Sequence, residues 1–408
     1  MDTRCINFGA GPSALPPSVL EETCKGLLNF EGTGMGIAEI SHRSKEFAAL
    51  LARLEANIRT QLQVPPTHAI LFMQGGGTGQ LSSIVLNMLA RHRLLHPDLG
   101  DHERVMDYVV TGAWSKKAVA EAQRLGGGVV HIAVDARLYS KDSKSFDNIP
   151  THDSYNFSPD PALIFYCENE TIDGVQFAYD DASPASFPFH LLKKDALLPL
   201  VADYSSSFMS RPIPHLADHA IIYAGAQKNI GPAGLTIAIV RQDCIVDVDA
   251  AAKLGAASVP ITMAYKTIFD EASLHNTPPV IPLYMASLVL QRMADQGGLK
   301  HYEEVNKRKA EKLYAAIEKG EAKGVLLAKV RPEARSWMNV VFDVLGEGAE
   351  ARFIEGATAQ NLKTIKGHRS VGGIRISLYN AVTEEETDQL VAYMEEFIAS
   401  AEPAAIKV

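Results

Sequence analysis

Two rhythms of apolar residues alternate along the first two-thirds of the chain. Ser44 can cap a helix, and after it Phe47, Leu50, Leu51, Leu54, Ile58 and Leu62 recur mostly at steps of three and four, the spacing of one helix face. Short apolar runs follow at 69–73, 108–110, 129–134, 163–166, 198–202, 220–223 and 235–240. Most are rich in Val, Ile, Leu or aromatic residues without clean polar alternation, which predicts strands buried on both faces. Such strands alternating with helices predict an α/β sheet. Asn276-Thr277-Pro278-Pro279 and Pro282 then interrupt any regular element. Beyond them a long helical tract, 283–328, is punctuated by Gly297-Gly298. Two strands at 337–344 and 373–378 follow, and a last helix begins at the capping box Thr383-x-x-Glu386. This α+β tail predicts a smaller second domain.

Composition narrows the function classes. The chain has 408 residues, 47% of them apolar and 21% charged, which is ordinary globular usage. Its formal net charge of −9 opposes a protein that clamps nucleic acid or an anionic membrane. A local exception runs from Asn361 to Asn380, where Lys363, Lys366, His368, Arg369 and Arg375 occur with no acid. The four scattered cysteines form no CxxC, so neither a disulfide framework nor a zinc ribbon is expected. His92 and His96 have metal-compatible spacing but lack the HExxH glutamate, and a solvated pair is expected, with no metal. No apolar run is long enough to span a membrane, and the first residues have no signal-peptide core. The expected setting is cytoplasmic.

Several motifs point to chemistry at strand ends. Gln74-Gly75-Gly76-Gly77-Thr78-Gly79-Gln80 leads from a strand into a helix predicted over 81–90, and its glycines allow backbone N–H groups to approach a phosphate. It lacks the lysine of a P-loop. Gly9-x-Gly11-x-x-Ala14 imitates a dinucleotide fingerprint, but Pro12 and Pro16-Pro17 interrupt the required turn. Asp203 ends a buried strand, where a carboxylate should need a cationic partner. Lys228 follows a second strand among small residues. A Lys for a Schiff base and an Asp for a ring nitrogen together suit pyridoxal phosphate. Trp114 and Thr171, each just after a strand, can stack on such a ring and hydrogen-bond its hydroxyl.

FGAGPSALP, SHRSKEF, QGGGTGQ, GAWS, ENETIDG, YAGAQKNIGPAG, NTPP and GHRSVGGIRIS occur in an order and spacing that resemble the phosphoserine aminotransferase family. The resemblance spans most of the chain, from about Asn7 to the last helix, and YAGAQKNIGPAG and GHRSVGGIR are its specific pieces. It implies a fold-type-I pyridoxal-phosphate enzyme, with a large domain at 16–270 and a small domain formed by 1–15 and 271–408. It further implies a homodimer with shared active sites, in which amino-group transfer between L-glutamate and 3-phosphohydroxypyruvate serves serine biosynthesis. That transfer would be ping-pong, through a Lys228 Schiff base.

The resemblance also implies individual roles. Lys228 would bind the cofactor covalently and shuttle a proton, Asp203 would pair with the ring nitrogen, Thr171 with the ring oxygen, and Trp114 would stack. Gly77, Thr78 and Gln227, with Asn276 and Thr277 from the other subunit, would hold the cofactor phosphate. Arg375 would take the substrate α-carboxylate. His368 and Arg369, with His42 and Arg43 of the other chain, would take the distal phosphate or carboxylate of small anionic amino- and keto-acid substrates. Met263-Ala264, Tyr204 and His275 depart from the commoner family pattern, at none of these positions.

Overall fold

The structure is a computed structural model that describes residues 4–193 and 197–401. All seven short apolar runs become strands of one sheet: β1 (His68–Met73), β2 (Val105–Val110), β3 (Val129–Asp135), β4 (Leu163–Cys167), β5 (Leu200–Asp203), β6 (His219–Gly225) and β7 (Thr236–Arg241). Their order is β1-β7-β6-β5-β4-β2-β3. β7 runs antiparallel to both neighbours, and the remaining pairs are parallel. The central strands are buried on both faces, as their composition predicts. β3 is the exception: at the sheet edge it leaves Val129 44% exposed.

Helix α1 (Lys45–Leu62) starts at Ser44, whose hydroxyl accepts from the Phe47 amide at 3.1 Å. All six residues of its predicted face are buried. Helix α2 (Gly76–Leu95) begins within the glycine run, five residues before the predicted start. Gly75 precedes it at φ +98°, a conformation glycine adopts without strain. Helix α3 (Ala113–Leu125) follows β2 directly.

The tract at 283–328 divides further than its apolar pattern predicts. Helix α4 (Val280–Asp295) and helix α5 (Gly298–Ala322) meet at Gly297, and the tract ends as strand β8 (Leu326–Ala328). Pro282 does not break α4: it lies in the first turn, where the missing N–H has no intrahelical partner to lose. Leu283, Val289 and Leu290 of α4 join the same core as Leu50, Leu54 and Ile58 of α1. A second core lies around the antiparallel sheet β8, β9 (Asn339–Val344) and β10 (Ile374–Ser377). Helix α6 (Glu384–Ser400), with the predicted Thr383–Glu386 capping box, packs there against α5. Ile6 and Phe8, near the start of the chain, belong to this second core.

Lys309 of α5 is completely buried, and its ammonium donates to the carbonyls of Leu378, Tyr379 and Val382 at 3.0, 3.1 and 2.9 Å. It thereby fixes the turn that follows β10, the strand carrying Arg375. Lys309→Met keeps the volume but abandons three buried acceptors. A loss of about 2–4 kcal/mol of stability is expected, measured as a lower urea midpoint with an unchanged slope.

Candidate active site

The parallel strands bring their C-terminal ends to one edge of the sheet, where open α/β sheets present ligands. Cys167 of β4 pairs in register with Asp203 of β5, and Asp203 pairs with Tyr223 of β6. The chain segments that follow these strands therefore converge. Lys228 Nζ, on a nearly buried side chain, donates to Thr171 Oγ1 at 2.6 Å. The same ammonium stands 5.7 Å from the centre of the Trp114 ring. On the other side of Thr171, Arg375 Nη1 donates to its carbonyl oxygen at 3.3 Å. Burial lowers the pKa of Lys228, and the negative charges nearby, Asp203 foremost, partly offset that fall. A lysine so placed holds more of its amine unprotonated near neutral pH, which makes it a better nucleophile and base.

Asp203 is 6% exposed. Among the described residues no side chain forms the ion pair expected from its strand-end position, although its charge acts on Lys228. Its carboxylate accepts from the Tyr223 hydroxyl and the Ser205 amide, both at 2.8 Å. An acceptor of this kind matches a protonated ring nitrogen. Trp114 Nε1 is likewise buried without a partner. At Gly77 a side chain would come within 3.8–3.9 Å of Ser205 and Tyr223, and at Gly11 within 3.5–3.6 Å of Lys228 and Gln227. Chemically, the donor set fits a phosphorylated pyridine aldehyde: an amine, an acceptor for a ring N–H, a hydroxyl, an aromatic face and an amide-rich helix start.

The substrate-side cations are less tightly gathered. His368 and Arg369 line a cavity of about 1000 Å³ with Lys117, Lys329 and Asp173. Desolvation and the charges of Arg375, Lys117 and Arg369 all lower the pKa of His368. Lys117, which the motif pattern does not reveal, lies with its ammonium 4.0 Å over the Trp114 ring. His42 and Arg43 sit in the turn before α1; among the described residues no hydrogen bond or ion pair joins them to Lys228 or His368, and His42 Nε2 is buried without a partner. Thr78 is exposed, as are Asn276 and Thr277, and the Thr277 carbonyl accepts from Gln74 Nε2 at 3.1 Å.

The ENETIDG segment holds three further carboxylates that the sequence pattern gives no role: Glu168, which pairs with Arg211 at 2.5 Å, Glu170 and Asp173. Glu170 accepts from the Trp114 amide, the Ser115 amide and the Ser115 hydroxyl at 2.8, 2.9 and 2.6 Å. Asp173 accepts from the Ala113 amide at 2.7 Å. The only sequence signal for Glu170 and Asp173 is that α3 begins without a Ser, Thr, Asp or Asn cap of its own, so its first amides need acceptors from elsewhere.

The expected solvated histidine pair holds only in part: His96 is partly exposed, but His92 is not. His92 is buried and accepts at Nδ1 from Arg104 at 2.7 Å, while burial lowers its pKa to about 4. His96 and Asp160 bring ligand atoms near it. With Nδ1 accepting, however, the neutral ring keeps its proton on Nε2, and the guanidinium beside it opposes a second cation. Of the family departures, Tyr204 is buried near Tyr166, and the Met263 carbonyl accepts from Asn87 at 2.8 Å.

Residues 5–390 match the family model described as Aminotransferase class-V. The phosphoserine aminotransferase of Ectopseudomonas mendocina (strain ymp) is 40% identical over 399 residues, covering 97% of this chain and 99% of that protein. The chain belongs to the phosphoserine aminotransferases of class V. Two solved members have the same fold. The enzyme from Bacillus circulans subsp. alkalophilus is 33% identical with a TM-score of 0.83, over 97% of this chain and 99% of its own. The pyridoxal-phosphate-bound enzyme from Trichomonas vaginalis is 34% identical with a TM-score of 0.80, over 96% and 100%. The cofactor of this fold-type-I aminotransferase is pyridoxal phosphate.

Proposed function

We propose that this enzyme interconverts 3-phosphohydroxypyruvate plus L-glutamate with O-phospho-L-serine plus 2-oxoglutarate, the amination step of serine biosynthesis. The observation that carries the reading is the shared contact at Thr171: its hydroxyl meets the amine of Lys228 and its carbonyl meets the guanidinium of Arg375. Amine chemistry and carboxylate recognition are thus one residue apart.

Pyridoxal phosphate, when bound, supplies an electron-withdrawing ring that lowers the barrier to breaking the bond between a substrate Cα and its hydrogen. The protein's residues divide the remaining work. Lys228 Nζ would hold the cofactor through its aldehyde carbon, whose oxygen leaves as water, and would move the proton at the substrate Cα. Asp203 holds a positive charge on the ring nitrogen, Thr171 donates to the ring oxygen, and Trp114 covers a face and excludes water. Gly77, Thr78 and Gln227 hold the cofactor phosphate, joined by the partner subunit's Asn276 and Thr277. Arg375 grips the α-carboxylate in a fork that matches it. His368 and Arg369, with the partner subunit's His42 and Arg43, bind the distal phosphate or carboxylate. The exposure of Asn276 and Thr277 and the unpartnered His42 Nε2 support a homodimer with shared sites. No helix of the described residues is long and apolar enough to cross a membrane. All four cysteines are free, which supports a cytoplasmic setting.

A visible spectrum before and after adding phosphoserine tests the reading: the band of lysine-linked cofactor should fall with phosphoserine and persist with alanine. An equal response to alanine would point to an enzyme for small neutral amino acids. Arg369→Ala is expected to raise the KM for phosphoserine about 10–100-fold, the loss of one charge-assisted hydrogen bond. Its cofactor affinity should stay within twofold, as measured by titration of the apoenzyme.

A further inference from the structure

Helix α3 carries Trp114 in its first turn, yet it starts without a side-chain cap of its own. Acceptors come instead from the loop after β4. Glu170 is completely buried, with one oxygen on the Trp114 amide and the other on the Ser115 amide and hydroxyl. It packs so closely on Gly112 that any Cβ there would lie 2.3 Å from the carboxyl carbon. The loop itself is tight, since the Gly174 amide donates to the Glu170 carbonyl at 2.8 Å with Gly174 at φ +74°. Its next residue is Thr171, which contacts both Lys228 and Arg375.

We propose that Glu170 is a positioning residue for the cofactor: its ionised carboxylate fixes the first turn of α3, so that its protonation state sets how well Trp114 can stack on the pyridine ring. The inference rests on the reading of this crevice as the pyridoxal phosphate site. Two of the three partners are amides that can only donate, one on each oxygen, while the Ser115 hydroxyl can also turn its proton to the Gly112 carbonyl at 3.1 Å. Protonation removes the charge that strengthens both amide bonds and so loosens the turn. Glutamine has the same size but opposes its NH2 to the Trp114 or Ser115 amide.

Burial raises the Glu170 pKa to about 7, with the charge of Asp173 adding to the effect. Asp173 itself is raised to about 6 by burial. The other titratable groups acting here are Lys228 from the loop after β6 and Cys167 at the end of β4. Arg375 from β10 faces Asp173. Glu170 is therefore ionised above neutrality, and its capping bonds weaken as pH falls through about 7.

The test uses the full chain carrying Trp337→Phe, which leaves Trp114 as the sole tryptophan. Apoprotein emission is followed from pH 5.5 to 9, and pyridoxal phosphate affinity is measured by quenching at pH 8 and pH 6. With Glu170 intact, emission should change around neutrality, and affinity should fall about tenfold from pH 8 to pH 6. Glu170→Gln should remove the transition and already bind about tenfold more weakly at pH 8. Asp173→Asn should keep the transition but move it to lower pH, because the Asp173 charge helps raise the Glu170 pKa. Glu170→Asp retains the charge but draws it back by a methylene, so it should keep a transition with weakened binding. Parent-like affinity and transition in Glu170→Gln would overturn the proposal, as would their persistence in Glu170→Asp if the glutamine variant does not fold. So would loss of the transition in Asp173→Asn alone. If the parent protein neither quenches nor acquires a visible band with pyridoxal phosphate, the cofactor reading itself fails.

Discussion

Replacing Lys228 with alanine is expected to remove the visible band of lysine-linked cofactor and to slow transamination by roughly 10⁴-fold or more, since on the proposed reading one residue supplies both the covalent attachment and the moving proton. The fold should survive. The ammonium makes one side-chain hydrogen bond, to Thr171 Oγ1, and the backbone is held independently: the Ser13 hydroxyl donates to the Lys228 carbonyl and the Ser13 amide to that of Gln227. Cofactor should still bind through the groups at Gly77, Asp203 and Trp114, though without the lysine-linked spectrum. Small primary amines added to the variant should restore part of the rate, because they return a base to the vacated space. A variant with the parent spectrum would remove Lys228 from the site.

What the sequence makes legible follows from how local each feature is. The seven strands and the buried face of α1 are visible because apolar spacing reports burial directly. The cap at Ser44 and the capping box at Thr383 depend on residues three apart, and both are present. Strand order is a matter of long-range pairing, so the antiparallel insertion of β7 between β1 and β6 has no local signature. The start of α2 is misplaced because glycine's low helix propensity hides a first turn that tertiary contacts enforce, among them the bond from the Gly76 amide to Thr236. Lys228, Asp203, Thr171 and Trp114 are legible as strand-end residues of suitable chemistry. Glu170 is not: its function is to supply acceptors to a helix 55 residues earlier, and nothing in its own neighbourhood records that. His92 misleads for the same reason, since its partner Arg104 lies beyond the end of its helix.

Asp203→Asn is expected to separate catalysis from attachment. The asparagine keeps the volume and an acceptor for the Ser205 amide, and its NH2 can donate to the Tyr223 oxygen, but it lacks the charge that would hold a proton on the ring nitrogen. Electrostatic stabilisation of this kind is typically worth 10²–10³ in rate, so kcat should fall by about that factor while the lysine-linked band still forms. The apoenzyme should respond in the opposite direction. A buried carboxylate with two neutral donors and no ion pair among the described residues burdens the fold until a cation arrives. Asp203→Asn should therefore raise the thermal midpoint of the apoenzyme and reduce the further rise on adding pyridoxal phosphate. Loss of the hydroxyl donor in Tyr223→Phe should reproduce neither effect in full, since the carboxylate keeps its charge. An asparagine variant whose apoenzyme is less stable than the parent, with kcat unchanged, would mean that Asp203 serves the strand ends and not the ring. The opposed shifts follow from one feature: the negative charge buried at the end of β5 has no ion pair among the described residues, and on the proposed reading the cofactor's ring nitrogen supplies the matching positive charge.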